Sequence, residues 1–305
     1  MGRVGVDLYP EQAGVSLAEV KTFAKYLGGT ATNVAVATAR YGHSAAVITK
    51  VGDDGFGQYV RTALKGFGVD DVYVGTDPDL LTPIVFCELY PPDRFPLLFY
   101  RQPKAPDMNL RAEEIDFDAI AAARIFWTTG TGLSDEPSRT ATLGALEVRD
   151  RSGVTIHDLD YRPMFWKDPQ EASRWQRRAL ERVTIAIGNL DECAVAVGEG
   201  SPSEMAQRIL DLGAEVVVVK MGPAGVTAFT RGTEVSAAPV AIEVVNGLGA
   251  GDAFGGAVCH GLLEGWSWQE TIAFANAAGA YVAGQLACAD AMPTETQVRR
   301  LMGER

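Results

Sequence analysis

Short apolar runs that alternate with longer helical segments constrain the fold of this chain most strongly. Five runs are nearly continuous in Val, Ile and Thr, which is typical of strands buried on both faces: Ala45–Thr49, Ile125–Thr128, Val154–Asp158, Thr184–Ile187 and Val216–Lys220. Six segments have helical periodicity: Thr32–Tyr41, Tyr59–Phe67, Ser138–Arg151, Gln170–Glu181, Pro202–Leu212 and Ala253–Leu263. Strand, helix and strand repeated in this way predict a mostly parallel α/β sheet covered by helices.

Two segments, at about residues 11–26 and 81–102, interrupt this alternation. Both contain the alternating residues typical of antiparallel strands, with Pro91-Pro92 as a hairpin-like turn. We expect them to form a small antiparallel β lid, although an edge extension of the main sheet would give the same pattern. Apolar residues that we expect to be exposed on this lid, such as Phe95 and Leu97, suggest a homodimer formed through the lid.

The length of the chain predicts a single domain over residues 1–305, large enough to bury its own core. The longest apolar stretch, Phe274–Ala289, is rich in Ala and Gly and contains Asn276 and Gln285. We therefore predict a closely packed core helix there and not a membrane span. Only six residues precede Asp7, so we expect the first strand to be short.

The charge balance restricts the partners of the chain. There are 39 acidic and 27 basic side chains, for a formal net charge of −12. Nucleic acid and anionic membranes both require basic patches, so neither is an expected partner. An anionic substrate is compatible with this charge only if the positive side chains that bind it are concentrated locally.

Cysteine and histidine spacing argues against a disulfide framework and against a zinc knuckle. The four cysteines lie far apart and form no C-x-x-C pair, and the three histidines show no metal-ligand spacing: Cys87, Cys193, Cys259, Cys288, His43, His157 and His260. No charged segment precedes an apolar run at the start of the sequence, so no secretory signal is expected. A reducing cytoplasm is the expected setting.

Several common catalytic motifs are missing from the sequence. It contains no G-x-x-x-x-G-K-[ST] and no H-E-x-x-H, and the dinucleotide pattern G-x-G-x-x-G fails after Gly247 because its third glycine position is Asp252. The segment Gly42-His43-Ser44-Ala45-Ala46 lacks the second glycine of a nucleophile elbow. It is better explained by a helix that ends at Gly42 and a strand that follows.

The glycine-rich turn Gly249-Ala250-Gly251-Asp252 leads into the last predicted helix of the alternating pattern. The first turn of a helix has N–H groups without internal partners and a partial positive charge, and glycines let an anion approach them closely. Asp252 has two explanations: it caps the helix, or it is a general base beside a site for a phosphoryl group. An ionised aspartate suits the acceptance of a hydroxyl proton in phosphoryl transfer.

Five motifs, in order along the chain, resemble those of the ribokinase-like (PfkB) carbohydrate kinases. They are Gly28-Gly29-Thr30-Ala31-Thr32-Asn33, Val51-Gly52-Asp53-Asp54-Gly55-Phe56-Gly57, Asn189-Leu190-Asp191-Glu192, Lys220-Met221-Gly222-Pro223-Ala224-Gly225 and Gly249-Ala250-Gly251-Asp252. The resemblance runs from Asp7 to Asn276. It implies a ribokinase-like three-layer α/β sandwich with a mostly parallel central sheet and a small antiparallel β lid, and it implies an ATP-dependent sugar kinase.

The resemblance also implies a role for each matching residue. Asp252 would be the base, with the backbone of Gly249, Ala250 and Gly251 as the anion hole. Sugar hydroxyls would be held by Asp7, Gly29 and Asn33, and Asn189 and Glu192 would organise Mg²⁺ largely through water. The ATP groove would be lined by Asn189, Lys220, Gly222, Gly225 and Asn276.

Simpler explanations exist for four of these residues. Asn33 would fit a helix cap, Glu192 a solvated helix charge, Gly225 a turn and Lys220 an exposed strand end. One departure from the family pattern is that Asn246-Gly247 stands where the family often has Asp-Thr. The departure removes a carboxylate often tied to a monovalent-cation site, and it argues against potassium activation.

Tyr100-Arg101, at the end of the lid, and Arg162, after the strand Val154–Asp158, bear on the identity of the sugar. A planar guanidinium binds a carboxylate with two hydrogen bonds, so these residues predict a sugar acid, unless both arginines are paired with Asp107 or Asp160.

Leu159–Pro163, Trp166 and Ala291–Thr294 resemble the subfamily that phosphorylates the O6 hydroxyl of 5-dehydro-2-deoxygluconate in inositol catabolism. A sister subfamily that acts on 2-keto-3-deoxygluconate shares the Tyr-Arg and Asp-Tyr-Arg features. Nucleoside kinases, kinases of neutral sugars and non-catalytic sugar or nucleotide sensors remain alternatives.

Overall fold

The computed structural model describes residues 1–303. Within that range the strands are β1 (Gly5–Pro10), β2 (Phe23–Gly28), β3 (Ala45–Ala46), β4 (Thr49–Gly52), β5 (Val69–Asp70), β6 (Val74–Asp77), β7 (Ile84–Cys87), β8 (Leu97–Tyr100), β9 (Ile125–Thr129), β10 (Val154–Asp158), β11 (Ile185–Asn189), β12 (Val216–Lys220), β13 (Val226–Thr230) and β14 (Glu234–Ala237). The α-helices are α1 (Thr30–Arg40), α2 (Gly55–Gly66), α3 (Phe117–Ala122), α4 (Ser138–Arg149), α5 (Pro169–Leu180), α6 (Leu190–Val197), α7 (Pro202–Leu212), α8 (Ala250–Glu264), α9 (Trp268–Ala283) and α10 (Glu295–Leu301).

The described chain divides into two compact units, each built from segments that are distant in sequence. The six-stranded unit comprises Met1–Gly2 and Met108–Pro239, and the four-stranded unit comprises Arg3–Asp107 and the described residues from Val240 onward.

The six-stranded unit contains a mostly parallel sheet in the order β14-β13-β12-β11-β10-β9. Strands β9 to β12 are parallel, whereas β13 and β14 form an antiparallel edge. In β12 the four valines Val216–Val219 are all buried, as the apolar run predicts for a strand between two layers of helices. The carboxyl ends of the parallel strands lie on the same side of the sheet, and the register places Asn189 directly beside Lys220 there.

The four-stranded unit contains a separate sheet in the order β2-β1-β7-β8, in addition to the two-stranded pairs β3-β5 and β4-β6. Two of its three pairings are antiparallel, and β1 pairs with β7 in parallel. The hairpin β7–β8 is closed by a bridge between Tyr90 and Arg94, which encloses Pro91-Pro92. The sheet confirms a small, mostly antiparallel element distinct from the parallel sheet.

Helices α1, α8 and α9 pack closely because small residues lie where they cross. A Cβ atom at Gly256 of α8 would overlap the Ala37 side chain of α1, and a Cβ at Gly279 of α9 would lie 2.9 Å from the Ala250 carbonyl oxygen. The Ala- and Gly-rich sequence of these helices therefore serves close backbone approach, which places the N-terminal turn of α8 beside α9.

Several details differ from the sequence predictions. Helix α9 ends at Ala283 and not at Ala289, because Gly284 terminates it and a turn at Ala289–Ala291 follows. The run Ala45–Thr49 is divided between β3 and β4. Strand β1 is six residues long and paired on both sides.

The apolar residues of the β7–β8 hairpin are also arranged differently from the expectation. Phe95 and Leu97 are partly buried against a cluster that contains Tyr9 and Cys288, so they were wrongly expected to be exposed. Leu98 and Tyr100 are the exposed large side chains of this hairpin, with 47% and 61% of their surface accessible.

Two of the motif interpretations of the sequence agree with the structure. Gly42 has φ 87° just after α1, so the Gly42–Ala46 segment is a helix end followed by a strand and not a nucleophile elbow. The four cysteines are free and buried. Within residues 1–303 every helix is too short or too polar to span a bilayer.

Candidate active site

The N-terminus of α8 is formed by the glycine-rich turn. Gly249 precedes the helix with φ 79°, a conformation that favours glycine, and a Cβ there would lie 2.8 Å from the Cys288 side chain. The first intrahelical bond runs from the Ala253 N–H to the Gly249 carbonyl at 2.9 Å. The N–H groups of Ala250 and Gly251 precede that bond, so they have no acceptor within the helix and lie at its positive end.

Asn246 stabilises the segment that leads into this turn. Its side chain is fully buried, accepts a hydrogen bond from the Leu248 N–H at 3.1 Å and donates one to the Leu286 carbonyl at 2.7 Å. The asparagine that replaces the usual aspartate of the family thus holds the turn through two neutral hydrogen bonds.

Asp252 lies in the first turn of α8, and Asn33 orients it. The Asn33 Nδ2 group donates to Asp252 Oδ2 at 2.7 Å. Asn33 is 3% exposed, and its Oδ1 atom has no hydrogen-bond partner among the described residues. A buried amide oxygen without a partner is costly, so this atom is in place to accept a hydrogen bond from a ligand.

Asp7 lies on β1, within the same four-stranded unit. Tyr9 donates from its hydroxyl to Asp7 Oδ2 at 3.0 Å. A Cβ atom at Gly28 would overlap the Asp7 carboxylate, so this glycine leaves room for the side chain. Burial raises the pKa of Asp7 to about 6, against the opposing effects of the Tyr9 hydrogen bond and the Arg3 charge.

Cys288 connects Asp7 and Asp252. Its thiol lies 2.8 Å from the Tyr9 hydroxyl, and burial together with the charges of Asp7 and Asp252 raises its pKa well above the ordinary value. Both carboxylates therefore lie near one buried thiol. Gly29 belongs to the same region, because it precedes α1 with φ 102° and a Cβ there would overlap the Arg3 carbonyl.

Asn276 lies on α9 in the four-stranded unit, one turn before Gly279 on the same helix face. Gly279 contacts the first turn of α8, so Asn276 is located on the side of α9 that approaches that turn. The other residues predicted for the ATP groove lie in the six-stranded unit.

Arg101 is not a solvent-exposed cation. Its side chain, 8% exposed, forms an ion pair with Asp107, which is fully buried and also accepts a hydrogen bond from the Val4 N–H at 3.0 Å. Burial lowers the pKa of Arg101, an effect that Asp107 opposes. The pairing with Asp107, one of the two explanations given by the sequence, is present in the structure.

A second buried arginine, Arg3, was missed by the sequence analysis. It is 6% exposed, donates to the Thr30 hydroxyl at 2.9 Å and acts on both Asp7 and Arg101 electrostatically. The signal available in the sequence was a basic residue just before the apolar residues that lead into β1. Tyr100, by contrast, is an exposed residue of β8 whose ring packs edge-on against Phe86 at 5.4 Å.

Arg162 lies after β10 in the six-stranded unit. Its Nε donates to Asp160 Oδ1 at 3.0 Å, and 39% of its side chain is exposed. Asp160 is buried, has φ 28° and accepts a second hydrogen bond from the Thr131 hydroxyl at 2.9 Å. The pairing with Asp160, which the sequence left open as an alternative to substrate binding, is therefore present for Arg162. It holds the guanidinium at the carboxyl end of the parallel strands, where ligands bind in open α/β sheets.

Asn189 and Glu192 form a capping box at the start of α6. The Glu192 N–H donates to Asn189 Oδ1 at 2.8 Å, and the Asn189 N–H donates to Glu192 Oε2 at 2.7 Å. This arrangement explains their spacing without a ligand. It also fixes an exposed amide and a carboxylate side by side, and such oxygen donors fit a magnesium ion that keeps most of its waters.

Lys220 ends β12 beside Asn189 and leads into a tight turn. Gly222 and Gly225 have φ 54° and 89°, and the Met221 N–H donates to the Gly225 carbonyl at 2.8 Å. A Cβ at Gly225 would overlap the Ala237 carbonyl of β14. The turn explains why glycine occupies position 225.

The structure therefore assembles the predicted residues in two groups. The four-stranded unit brings together the α8 turn, Asp252, Asn33, Gly29 and Asp7, with Asn276 on the neighbouring helix. The sheet edge of the six-stranded unit carries Arg162, Asn189, Glu192, Lys220 and the glycine turn.

The chain is similar to known proteins over nearly its full length. The family described as "pfkB family carbohydrate kinase" matches residues 1–295. A curated relative, 5-dehydro-2-deoxygluconokinase of Clostridium beijerinckii, is 34% identical over 313 residues, which cover 100% of this chain and 92% of the relative.

Two solved structures show the similarity in three dimensions. Fructokinase from Vibrio cholerae O395, in a fructose, ADP and calcium ion bound form, has a TM-score of 0.86 at 27% identity and covers 98% of this chain and 96% of its own. A putative Ribokinase II from E. coli has a TM-score of 0.91 at 21% identity, covers 99% of this chain and 97% of its own, and so supports the fold.

Proposed function

Because this chain belongs to the pfkB family of carbohydrate kinases and is a phosphotransferase that acts on a sugar hydroxyl, we propose that it transfers the γ-phosphoryl group of ATP to the O6 hydroxyl of 5-dehydro-2-deoxy-D-gluconate. The identity of the substrate rests on the full-length similarity to a relative of that name. The chemistry rests on one observation, the Asp252 carboxylate that Asn33 orients in the first turn of α8.

Asp252 is the general base in this proposal. Its carboxylate accepts the hydroxyl proton of the sugar as the oxygen attacks phosphorus, and the hydrogen bond from Asn33 holds the carboxylate in position. The N–H groups at the turn of Gly249, Ala250 and Gly251 face the transferring phosphoryl group, because they lack helical acceptors and are at the positive end of α8.

Asp7, Gly29 and Asn33 hold the hydroxyl groups of the sugar. The unpartnered Asn33 Oδ1 accepts from one hydroxyl, and the Asp7 carboxylate accepts from another. Gly29 fixes the backbone beside Asn33 that contacts the sugar, because its φ of 102° favours glycine and a Cβ there would overlap the Arg3 carbonyl.

Arg162, Arg101 and Tyr100 recognise the acid. A guanidinium has five N–H donors, and the Nε contact of Arg162 with Asp160 uses one of them. Because 39% of the Arg162 side chain is exposed, its guanidinium is accessible to a carboxylate of the substrate. The ion pair with Asp107 fixes the orientation of Arg101, and the Tyr100 hydroxyl adds a donor.

Lys220, Gly222, Gly225, Asn189 and Asn276 bind ATP. The Lys220 ammonium compensates phosphate charge, and the turn at Gly222–Ala224 gives the nucleotide an exposed surface without bulky side chains. Glu192 and Asn189 hold the water shell of Mg²⁺, which, when bound, neutralises charge on the transferring phosphates.

Two further elements belong to the proposal. The segments at about 11–26 and 81–102 act as a lid that excludes water from the reaction and protects ATP from hydrolysis. Leu98, an exposed apolar residue of the β7–β8 hairpin, marks the surface through which two copies of the chain would pair in a homodimer.

The second candidate substrate is 2-keto-3-deoxygluconate. It is favoured by the same observation, the arginines Arg101 and Arg162, because it is also a six-carbon deoxy keto acid with a terminal hydroxyl. Recognition of the carboxylate does not distinguish the two compounds.

An ADP-release assay with five acceptors tests the proposal: 5-dehydro-2-deoxygluconate, 2-keto-3-deoxygluconate, ribose, fructose and adenosine. We expect kcat/KM to be highest for 5-dehydro-2-deoxygluconate. Replacement of Arg162 by Met should raise KM for the acid by about tenfold or more, the value of one charged hydrogen bond, while the exposed control Arg178→Met leaves it unchanged. A preference for ribose, fructose or adenosine, or no ADP release with any acceptor, would contradict the proposal.

A further inference from the structure

Two histidines that are 217 residues apart in sequence meet in the four-stranded unit, away from Asp252. His43 follows the end of α1, and His260 lies near the end of α8. The Nε2 atom of His43 is 2.7 Å from the Nδ1 atom of His260. The spacing of the histidines in the sequence shows no metal-ligand pattern, and it is the fold that brings this pair together.

Glu264 adds a carboxylate to the pair. It lies one helical turn after His260 on α8, and its Oε1 atom is 3.8 Å from His43 Nε2. One donor atom from each of His43, His260 and Glu264 can be chosen so that all three lie within 4.8 Å of one another. The cluster is open to solvent on one side, since 16% of the His43 and 49% of the Glu264 side chain are exposed.

His260 is held in the orientation that a metal-binding imidazole requires. Its side chain is 3% exposed and stacks on the Tyr41 ring with a centroid distance of 4.7 Å. Its second ring nitrogen, Nε2, has no hydrogen-bond partner among the described residues and points towards Glu295 Oε2 at 3.6 Å. Arg299 in turn holds Glu295 at 2.7 Å. A carboxylate behind the second nitrogen is the usual support of a metal-bound histidine.

The charges around the position oppose one another: Glu264, Glu295 and the end of α8 favour a cation, and Arg299 disfavours one. The last turn of α8 contains no basic residue, and its carbonyl groups give that end of the helix a partial negative charge.

We propose that His43 Nε2, His260 Nδ1 and the Glu264 carboxylate bind one divalent transition-metal ion of the zinc type. Imidazole nitrogen and carboxylate oxygen are zinc ligands, and water would complete a four-coordinate shell. Two imidazoles on a tetrahedral ion are about 3.3 Å apart, from Zn–N bonds of about 2.0–2.1 Å. The two nitrogens are 2.7 Å apart. They therefore need to move apart by less than about 1 Å for a metal ion to replace the proton that they share.

Such an ion would connect the C-terminal regions of α1 and α8. The same two helices carry Asn33 and Asp252 in their N-terminal turns, where the two side chains share a hydrogen bond. The metal site is therefore a second connection between these helices, at the ends opposite Asp252, and it contains no residue assigned to sugar or nucleotide binding.

Isothermal titration of the metal-free chain with Zn²⁺, without ATP or sugar, tests the site. We expect one ion per chain, and at least about tenfold weaker binding for His43→Gln and for Glu264→Gln, since each removes one ligand. Both positions are partly exposed, so we expect the variants to fold, and circular dichroism checks this. Glu147→Gln, an exposed glutamate on α4, is the matched control and should bind like the unaltered chain.

Cobalt supplies an independent measurement, because Co²⁺ at a four-coordinate site has intense visible absorption. The unaltered chain and the Glu147→Gln control should show this absorption, and the two ligand variants should lose it. No Zn²⁺ binding by the unaltered chain, or equal binding by all four proteins, would overturn the proposal. Neither measurement depends on kinase activity, so failure of the metal site is distinguishable from failure of the proposed function.

Discussion

Asn33 combines two properties that are seldom found together in one buried side chain. Its amide nitrogen is committed to Asp252 at 2.7 Å, whereas its amide oxygen has no partner among the described residues. An amide in the interior normally satisfies both atoms. The arrangement is explained if the oxygen binds a substrate hydroxyl that lies next to the base.

Asp7 provides a prediction about pH and stability. Its pKa is near 3.8 in the unfolded chain and about 6 in the folded protein, so the folded state binds more protons between these values. Stability is therefore lost as pH rises from about 4 to 6, and the loss is complete at pH 8. We expect Asp7→Asn to change the free energy of unfolding more favourably for the folded state at pH 8 than at pH 4. The difference is up to about 3 kcal/mol, at 1.36 kcal/mol per pKa unit.

Urea unfolding of the unaltered chain and of Asp7→Asn at pH 4 and pH 8 measures this difference. The comparison between the two pH values removes any effect of the substitution on packing, because that effect is present at both. An equal change in the free energy of unfolding at pH 4 and pH 8 would show that burial does not perturb the Asp7 carboxylate.

Features that depend on neighbouring residues could be predicted from the sequence, whereas features that depend on tertiary contacts could not. The turn before Asp252 was predictable because glycines and an acidic residue precede a helix. The pairing of His43 with His260 and the burial of Arg3 depend on segments that are distant in sequence. For Arg101 the sequence left two partners open, a substrate carboxylate or Asp107, and only the fold shows the ion pair with Asp107.

At the scale of the elements, Arg149 joins a helix end to a strand of the six-stranded unit. It is the last residue of α4, is 2% exposed and donates to the carbonyls of Ala123 at 2.6 Å and Val154 at 3.0 Å, and to the Thr155 hydroxyl at 3.2 Å. Additional bonds reach carbonyls at the end of α3. Burial lowers the pKa of Arg149.

Replacement of Arg149 by Met should lower the free energy of unfolding by about 3 kcal/mol or more, because it leaves several buried carbonyl groups without donors. Arg178→Met, on the exposed face of α5, is the matched control and should change stability by less than about 0.5 kcal/mol. Chemical denaturation measures both. Similar values for the two variants would indicate that water replaces the Arg149 guanidinium at little cost.

The elements themselves were predictable to different degrees. The strands Val154–Asp158 and Val216–Lys220 and the helix Pro202–Leu212 have the predicted bounds, because continuous apolar runs and a Ser-Pro helix start are local signals. Helices α3 and α10 were missed, since six or seven residues show too little periodicity. The end of α9 was missed because Gly284 lies within an Ala- and Gly-rich stretch that continues the apolar pattern.

At the scale of the whole molecule, the sequence predicted the α/β class and the family but not how the chain divides. The described residues divide into two compact units, each formed from discontinuous segments, and the single domain over residues 1–305 stays a prediction. The residues proposed to act on the sugar hydroxyl belong to one unit, and most of those proposed for ATP belong to the other. Sequence order cannot reveal this division, because the four-stranded unit combines the beginning and the end of the chain.

The central claim is that Asp252 removes the proton of the sugar hydroxyl, and its most direct test is the turnover of Asp252→Asn with ATP and 5-dehydro-2-deoxygluconate. We expect turnover to fall by at least about a hundredfold, the lower end for general acid–base catalysis, with the affinity for ATP little changed. The control Asp118→Asn removes an acidic residue from the first turn of α3 and should leave turnover unaltered. Near-normal turnover of Asp252→Asn would contradict the account, because the carboxylate would then only cap α8.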